Sequence, residues 1–143
     1  MPLIHLMYAS RLDPALASRD AMTRLLEDAR AFNDAHQVTG GLRVNDAAAF
    51  QVLEGDPDTV DALYRRIEAD ARHRDVKLMM RERLVRRQFA RWSMGEAHAD
   101  AATLGEVAAL EAFLADEVTT ADLGAPQAHA LIEALRRNRH WWR

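Results

Sequence analysis

Residues 3–8 are apolar or aromatic at every position but His5, a run long enough for a buried strand and too short for a helix. Asp13-Pro14 marks a turn after it. Ser18 then offers an N-cap to a stretch in which Met22, Leu25, Leu26, Ala29 and the pair Phe32/Asn33 recur at helical spacing, which predicts a helix over residues 19–36. Thr39-Gly40-Gly41 interrupts that period. Beyond it, residues 42–44 and 50–53 flank Asn45-Asp46, the residue types of a tight turn, and predict a hairpin. Gly55 closes the second arm. Asp56-Pro57 then places a capping carboxylate before a proline at the first helical position, and Val60, Leu63, Tyr64 and Ile67 form the stripe of a helix running to about Asp70.

Residues 76–80 and 92–95 supply two further strands, joined by the basic stretch 81–91. The order β-α-β-β-α-β-β predicts an α+β sandwich with a ferredoxin-like sheet and its two helices on one face. Two C-terminal helices follow. Thr103-Leu-Gly-Glu106 has the spacing of a capping box ahead of Leu104, Val107, Leu110, Phe113 and Leu114, and Gly124-Ala-Pro126 opens a helix carrying Leu131, Ile132 and Leu135. We divide the chain into an α+β domain, residues 1–98, and a helical extension, residues 99–143, that caps the sheet, mediates self-association or meets a partner.

At 143 residues and 49% apolar composition, the chain carries enough material for one packed domain with a small appendage. A net charge of −3 gives no polyanion-binding signature, so nucleic acid is not the expected partner. The tail Arg136-Arg-Asn-Arg-His-Trp-Trp-Arg143 mixes basic and aromatic residues but is short and isolated. No cysteine is present, which removes disulfides, thiolate metal sites and cysteine nucleophiles, and no metal-spaced His/Asp cluster stands out. No apolar run reaches the ~20 residues needed to cross a bilayer. We expect a cytoplasmic protein without membrane contact.

Two polar residues fall where the pattern calls for apolar ones. Asn33 sits on the helix stripe that faces the sheet, and Gln51 interrupts Phe50-Gln51-Val52-Leu53. An unpaired buried amide costs about 1–3 kcal/mol. Either each amide bonds the backbone of a neighbouring loop, or both serve a planar polar ligand between the helices and the sheet. The pattern leaves both open.

At these residues the chain resembles the BLUF family, sensors of blue light using FAD. The matching stretches are Leu6-Met-Tyr8-Ala-Ser10, Asn33 with Val38-Thr-Gly40, Phe50-Gln-Val-Leu-Glu-Gly55, Asp70-Ala-Arg72-His73-Arg-Asp75 and Trp92-Ser-Met-Gly95, in order over residues 2–98. The resemblance implies a non-covalently bound FAD, with FMN as the alternative, and a signalling role without enzymatic turnover. It makes Tyr8 the photochemical electron and proton donor and Gln51 the bridge between that tyrosine and the flavin. Asn33 matches the amide on the ring's pyrimidine edge, and Leu25 and Ile67 the aliphatic side chains on the two ring faces. Ser10, Arg66, Asp70 and His73 match positions near the flavin and its tail; for Arg66 and Asp70 a surface ion pair is the competing reading. Trp92 and Met94 match the switching pair of the last strand, which relays the change at Gln51 to a downstream protein partner, with a homo-oligomer expected. Phe32 and the pair Ala48-Ala49 depart from common family residues, and one extra residue lies between Tyr8 and Gln51. The competing functions are a small flavin redox protein and an interaction module that does not respond to light.

Overall fold

The structure is a computed structural model that describes residues 2–45, 48–98, 104, 107 and 110–138. The expected hairpin turn at Asp46 and the capping box formed by Thr103 and Glu106 lie outside the described residues.

Strand β1, Leu3–Leu12, runs through the middle of the molecule, and a short 3-10 turn, Pro14–Ala17, leads to helix α1, Arg19–His36. The Ser18 hydroxyl accepts from the Ala21 N–H at 3.1 Å, as its position predicts. The helix ends where Gln37 takes a left-handed conformation, φ 57°, and returns its N–H to the Asn33 carbonyl. Strands β2, Thr39–Asn45, and β3, Ala48–Gly55, form the hairpin, and helix α2, Pro57–Ala69, starts on the Asp56 carboxylate, which accepts from the N–H groups of Asp58 and Thr59.

The hairpin has one steric requirement: a Cβ on Gly40 would stand 1.9 Å from the Val52 carbonyl oxygen. Only glycine allows β2 to lie that close to β3.

Strand β4, His73–Leu84, is longer than the expected 76–80, and β5 is only Gly95–Glu96. Both differences have a backbone cause. Arg81, Glu82 and Arg83 are charged, yet with Leu84 they pair with residues 3–6 of β1, so the start of what reads as a basic connection is an edge strand. Charged side chains suit an edge because they discourage further pairing. Of residues 92–94, expected as strand, Trp92 gives its carbonyl to the Gly40 N–H of β2 at 3.0 Å, but Ser93 gives its carbonyl to the Asn33 amide at 2.5 Å and Met94 to Arg30 Nε at 3.0 Å, both on α1. The ladder to β2 therefore begins only at Gly95, where β5 runs parallel to β2.

The sheet order is β4-β1-β3-β2-β5. Alternation along β1 and β3 divides the core. Ile4, Leu6, Tyr8 and Leu53 pack with Leu26, Val38 and Val60 under α1 and α2. Met7, Ala9, Phe50 and Val52 face the opposite way, into one apolar cluster with Leu104, Leu110, Phe113, Leu131 and Leu135. The C-terminal segments responsible are α3, Leu110–Leu114, and α4, Ala125–Arg137. They cover the second sheet face, turning the expected sandwich into three layers. Arg11 fixes them to β1: its guanidinium donates to the Phe113 carbonyl at 2.9 Å, pairs with Asp116 at 2.8 Å and lies over the Phe113 ring.

Candidate functional site

The site grows from the pairing of Tyr8 with Gln51 in the β1–β3 ladder. Both side chains project to the α1/α2 face, and the Tyr8 hydroxyl donates to Gln51 Oε1 within the core. Gln51 Nε2 donates in turn to Met94 Sδ at 3.2 Å. The amide that looked misplaced in an apolar strand thus joins two partners by its two chemically different ends.

A cleft opens between α1 and α2 and reaches the sheet at Gln51. Helix α1 contributes Leu25, Ala29 and Asn33, α2 contributes Leu63, Arg66 and Ile67, and the α2–β4 junction contributes Asp70, Arg72 and His73. Seven of the expected residues, Leu25, Asn33, Gln51, Arg66, Ile67, Asp70 and His73, share this wall. Three others stand apart from it. Tyr8 is fully buried behind Gln51 and reaches the cleft through that amide. Ser10 is buried and shares a hydrogen bond of 2.9 Å with His73 Nδ1, so it orients a cleft residue without lining the cleft. Trp92 packs against the other face of the sheet, its ring centroid 6.4 Å from that of Phe89; of the expected switching pair, Met94 alone meets Gln51.

The competing reading, an Arg66–Asp70 ion pair, gives way to another partner. Asp70 accepts from three donors of Arg72, the backbone N–H at 2.9 Å, Nε at 3.1 Å and Nη2 at 2.7 Å, because the turn after α2 brings the i+2 residue back over the carboxylate. Arg66 instead sets its guanidinium 4.7 Å above the Phe32 ring, linking α2 to α1 at the cleft. Arg72, Phe32 and Arg30 were not expected at the site. The spacing Asp70-x-Arg72 around a helix exit is the signal that marks the first of them, while Phe32 follows only from how α1 meets α2 and Arg30 from how α1 meets the loop at residues 92–94.

Burial and hydrogen bonding set the charges. Burial holds the Tyr8 phenol far above its usual range, with smaller contributions from Tyr64 and Asp70. The neighbouring Tyr64, 5.7 Å away ring to ring, is pushed up to about 12, chiefly by burial. Asp70 is lowered to about 2 by the Arg72 hydrogen bonds, and burial lowers His73, which leaves its imidazole neutral.

A cleft with aliphatic side chains on both helices, amides at its inner end and cations at its mouth suits a flat heteroaromatic ligand with an anionic tail. Combined with a buried phenol one amide away, it defines a flavin-binding sensor domain. Residues 3–95 match the family described as "BLUF: Sensors of blue-light using FAD", and the chain belongs to that family, a blue-light photoreceptor with flavin as its cofactor. Among solved structures it is similar to BlsA in its photo-activated state, with 27% identity, TM-score 0.76 and 94% of each chain covered. It is also similar to the dark state of BlrB, a BLUF protein, with 28% identity, TM-score 0.72 and coverage of 95% of this chain and 96% of that one. A third relative, the photoactivated adenylate cyclase subunit beta-like protein FB of Euglena gracilis, is 28% identical over 102 residues, 71% of this chain. The chain spans 12% of that relative's length.

The residues present fit the flavin. Leu25 and Ile67 approach from opposite helices, Asn33 and Gln51 offer amides at the sheet end, and Arg66 and Arg72 supply positive charge that a phosphate tail would meet. Among the described residues no helix is long and apolar enough to cross a membrane.

Proposed function

We propose that Tyr8, Gln51 and Met94 form the light-driven switch of this receptor. Bound between α1 and α2, the flavin supplies blue-light absorption and an acceptor for one electron. Tyr8 gives up that electron, and its proton leaves along the hydrogen bond to Gln51 Oε1. When electron and proton return, the Gln51 amide is reversed by rotation or tautomerisation, so that the end facing Tyr8 donates instead of accepting. The amide end facing Met94 then loses its N–H, and the 3.2 Å contact with the sulfur is lost. A packing change at residues 92–94 follows, next to β5. The continuous chain from phenol to amide to thioether carries this reading.

Leu25 and Ile67 clamp the ring, Asn33 and Gln51 bond its edge, and Arg66, Asp70, Arg72 and His73 set the mouth for the tail, with Ser10 orienting His73. FAD suits a mouth with two guanidinium groups; FMN would use fewer of these contacts. Residues 1–98 sense and residues 99–143 carry the signal to a protein partner or a second copy of the chain. The signal is conformational, without substrate turnover by this stretch, and acts in the cytoplasm. Relatives named for cyclase activity support an effector downstream of the sensor.

Visible spectra of the flavin-loaded protein test the switch. Wild type gives a small red shift under blue light that reverses in darkness, because the reversed amide bonds the flavin more strongly. Bound flavin without the shift, or turnover of NADH, would replace the sensor mechanism with redox chemistry.

A further inference from the structure

Glu54 is fully buried, three residues beyond Gln51 on β3, and points to the opposite face of the sheet. A buried carboxylate is costly unless its lone pairs are occupied. Here they are: Oε2 accepts from the Gln88 N–H at 2.7 Å, and Oε1 accepts from the Phe89 N–H at 2.9 Å and the Thr39 hydroxyl at 3.0 Å. Arg87 completes the fastening, donating to the Thr39 hydroxyl at 2.8 Å and to the Glu54 carbonyl at 3.0 Å. The bonds from Arg87, Gln88 and Phe89 grip the connection between β4 and β5, while the Thr39 hydroxyl ties the same carboxylate to β2. The same connection continues through Trp92, whose N–H returns to the Phe89 carbonyl at 3.1 Å, and ends at Met94.

We propose that Glu54 is a positioning residue of the photoreaction: by capping the backbone at residues 88 and 89 it holds the connection at the depth where the Met94 sulfur meets Gln51. The flavin, Tyr8 and Gln51 lie on the other side of the sheet, so Glu54 acts only through that backbone. A strand-end carboxylate that accepts from two backbone N–H groups of the connection and from the Thr39 hydroxyl of β2 has its burial offset by these three donors. Fastened at residues 87–89 and again by Gly40, Asn33 and Arg30 at residues 92–94, the connection has few ways to place Met94, and its return to the dark arrangement is guided by the Glu54 end. The inference rests on the Tyr8–Gln51–Met94 reading.

Glu54→Gln keeps the size of the side chain but sets an amide N–H₂ against a backbone N–H. Two readouts on the full chain decide. Amide hydrogen exchange of Gln88 and Phe89 in the flavin-free protein rises about tenfold in Glu54→Gln, with the central β1 amides unchanged. In the FAD-loaded protein, thermal return of the red-shifted form slows at least about threefold, since the dark arrangement loses stabilisation relative to the lit one. Unchanged exchange, or a recovery as fast as wild type or faster, overturns the proposal. Should Glu54→Gln fail to fold, Thr39→Val removes one of the three donors with little change in volume and is held to the same two outcomes. Met94→Ala separates the two claims: if its recovery equals that of wild type, the switch reading falls and this proposal with it, whereas an altered Met94→Ala beside a wild-type-like Glu54→Gln removes only the role of Glu54.

Discussion

Asn33 shows how a single polar residue in an apolar stripe is read in two ways and answered by both. Its amide nitrogen donates to the Ser93 carbonyl at 2.5 Å, the loop-backbone partner that a bland reading foresees, and the same side chain lines the cleft. Asn33→Ala leaves the Ser93 carbonyl without this donor and lowers stability by about 1–3 kcal/mol in denaturant titration of the flavin-free protein; an unchanged midpoint would mean that the bond contributes nothing. At His73 the charge state makes a pH prediction. Burial lowers its folded-state pKa below the ordinary 6.5, so the unfolded chain binds more protons as the pH falls below that value. Its contribution is fully present above 6.5 and is lost as the pH falls toward the lower folded-state value. The melting temperature therefore declines as the pH falls below about 6.5, and His73→Gln, which keeps a partner for Ser10, flattens the decline. Asp70 works in a lower window: its hydrogen bonds with Arg72 stabilise the fold above about 3.8 and are lost as the pH approaches about 2.

At the scale of elements, hydrophobic period and capping chemistry made the two main helices legible almost to the residue, since Ser18 and Asp56 announce their starts in the sequence. Strand ends were less legible because a strand's extent depends on what its neighbour offers. The charged residues 81–83 join β4 because β1 presents an open edge there, and the carbonyls of Ser93 and Met94 go to Asn33 and Arg30 of α1 rather than to the ladder. Neither fact is written in local periodicity. Gly40 is the converse, a local sequence feature with a demand that appears only in the packed hairpin. Gly40→Ala drives a methyl into the Val52 carbonyl and costs about 3 kcal/mol, measured as a drop in urea midpoint with an unchanged slope. A stability within a few tenths of a kcal/mol of wild type would show that the strands separate freely.

Across the whole molecule, one sheet serves two compartments: a face with a ligand cleft under α1 and α2, and a dry face under α3 and α4. Tyr8 and Gln51 belong to the first and Phe50 and Val52 to the second, on adjacent positions of the same strands. A change at Gln51 is therefore one residue away from the layer that contacts the C-terminal helices. Phe113 is fully buried in that layer, edge-on to Phe50 at 5.4 Å, so Phe113→Ala lowers stability by about 3–5 kcal/mol. Loss of far-ultraviolet and near-ultraviolet signals in one transition would show that sheet and helices melt as a unit; separate transitions would show that the extension docks on an independently stable sensor. The cleft-lining positions were picked out through family resemblance more than through pattern, because a buried amide looks alike whether it serves a loop or a ligand. What resemblance left open was geometry: that Met94 and not Trp92 meets Gln51, and that Ser10 acts through His73.

The most direct measurement of the switch is the visible absorption of the FAD-loaded protein in darkness, after blue light and through recovery, for wild type and Gln51→Leu side by side. Wild type shows a small reversible red shift, and Gln51→Leu retains flavin but shows none. An undiminished reversible shift in Gln51→Leu would contradict the assigned role of the amide, and flavin without any shift in wild type would contradict the switch itself.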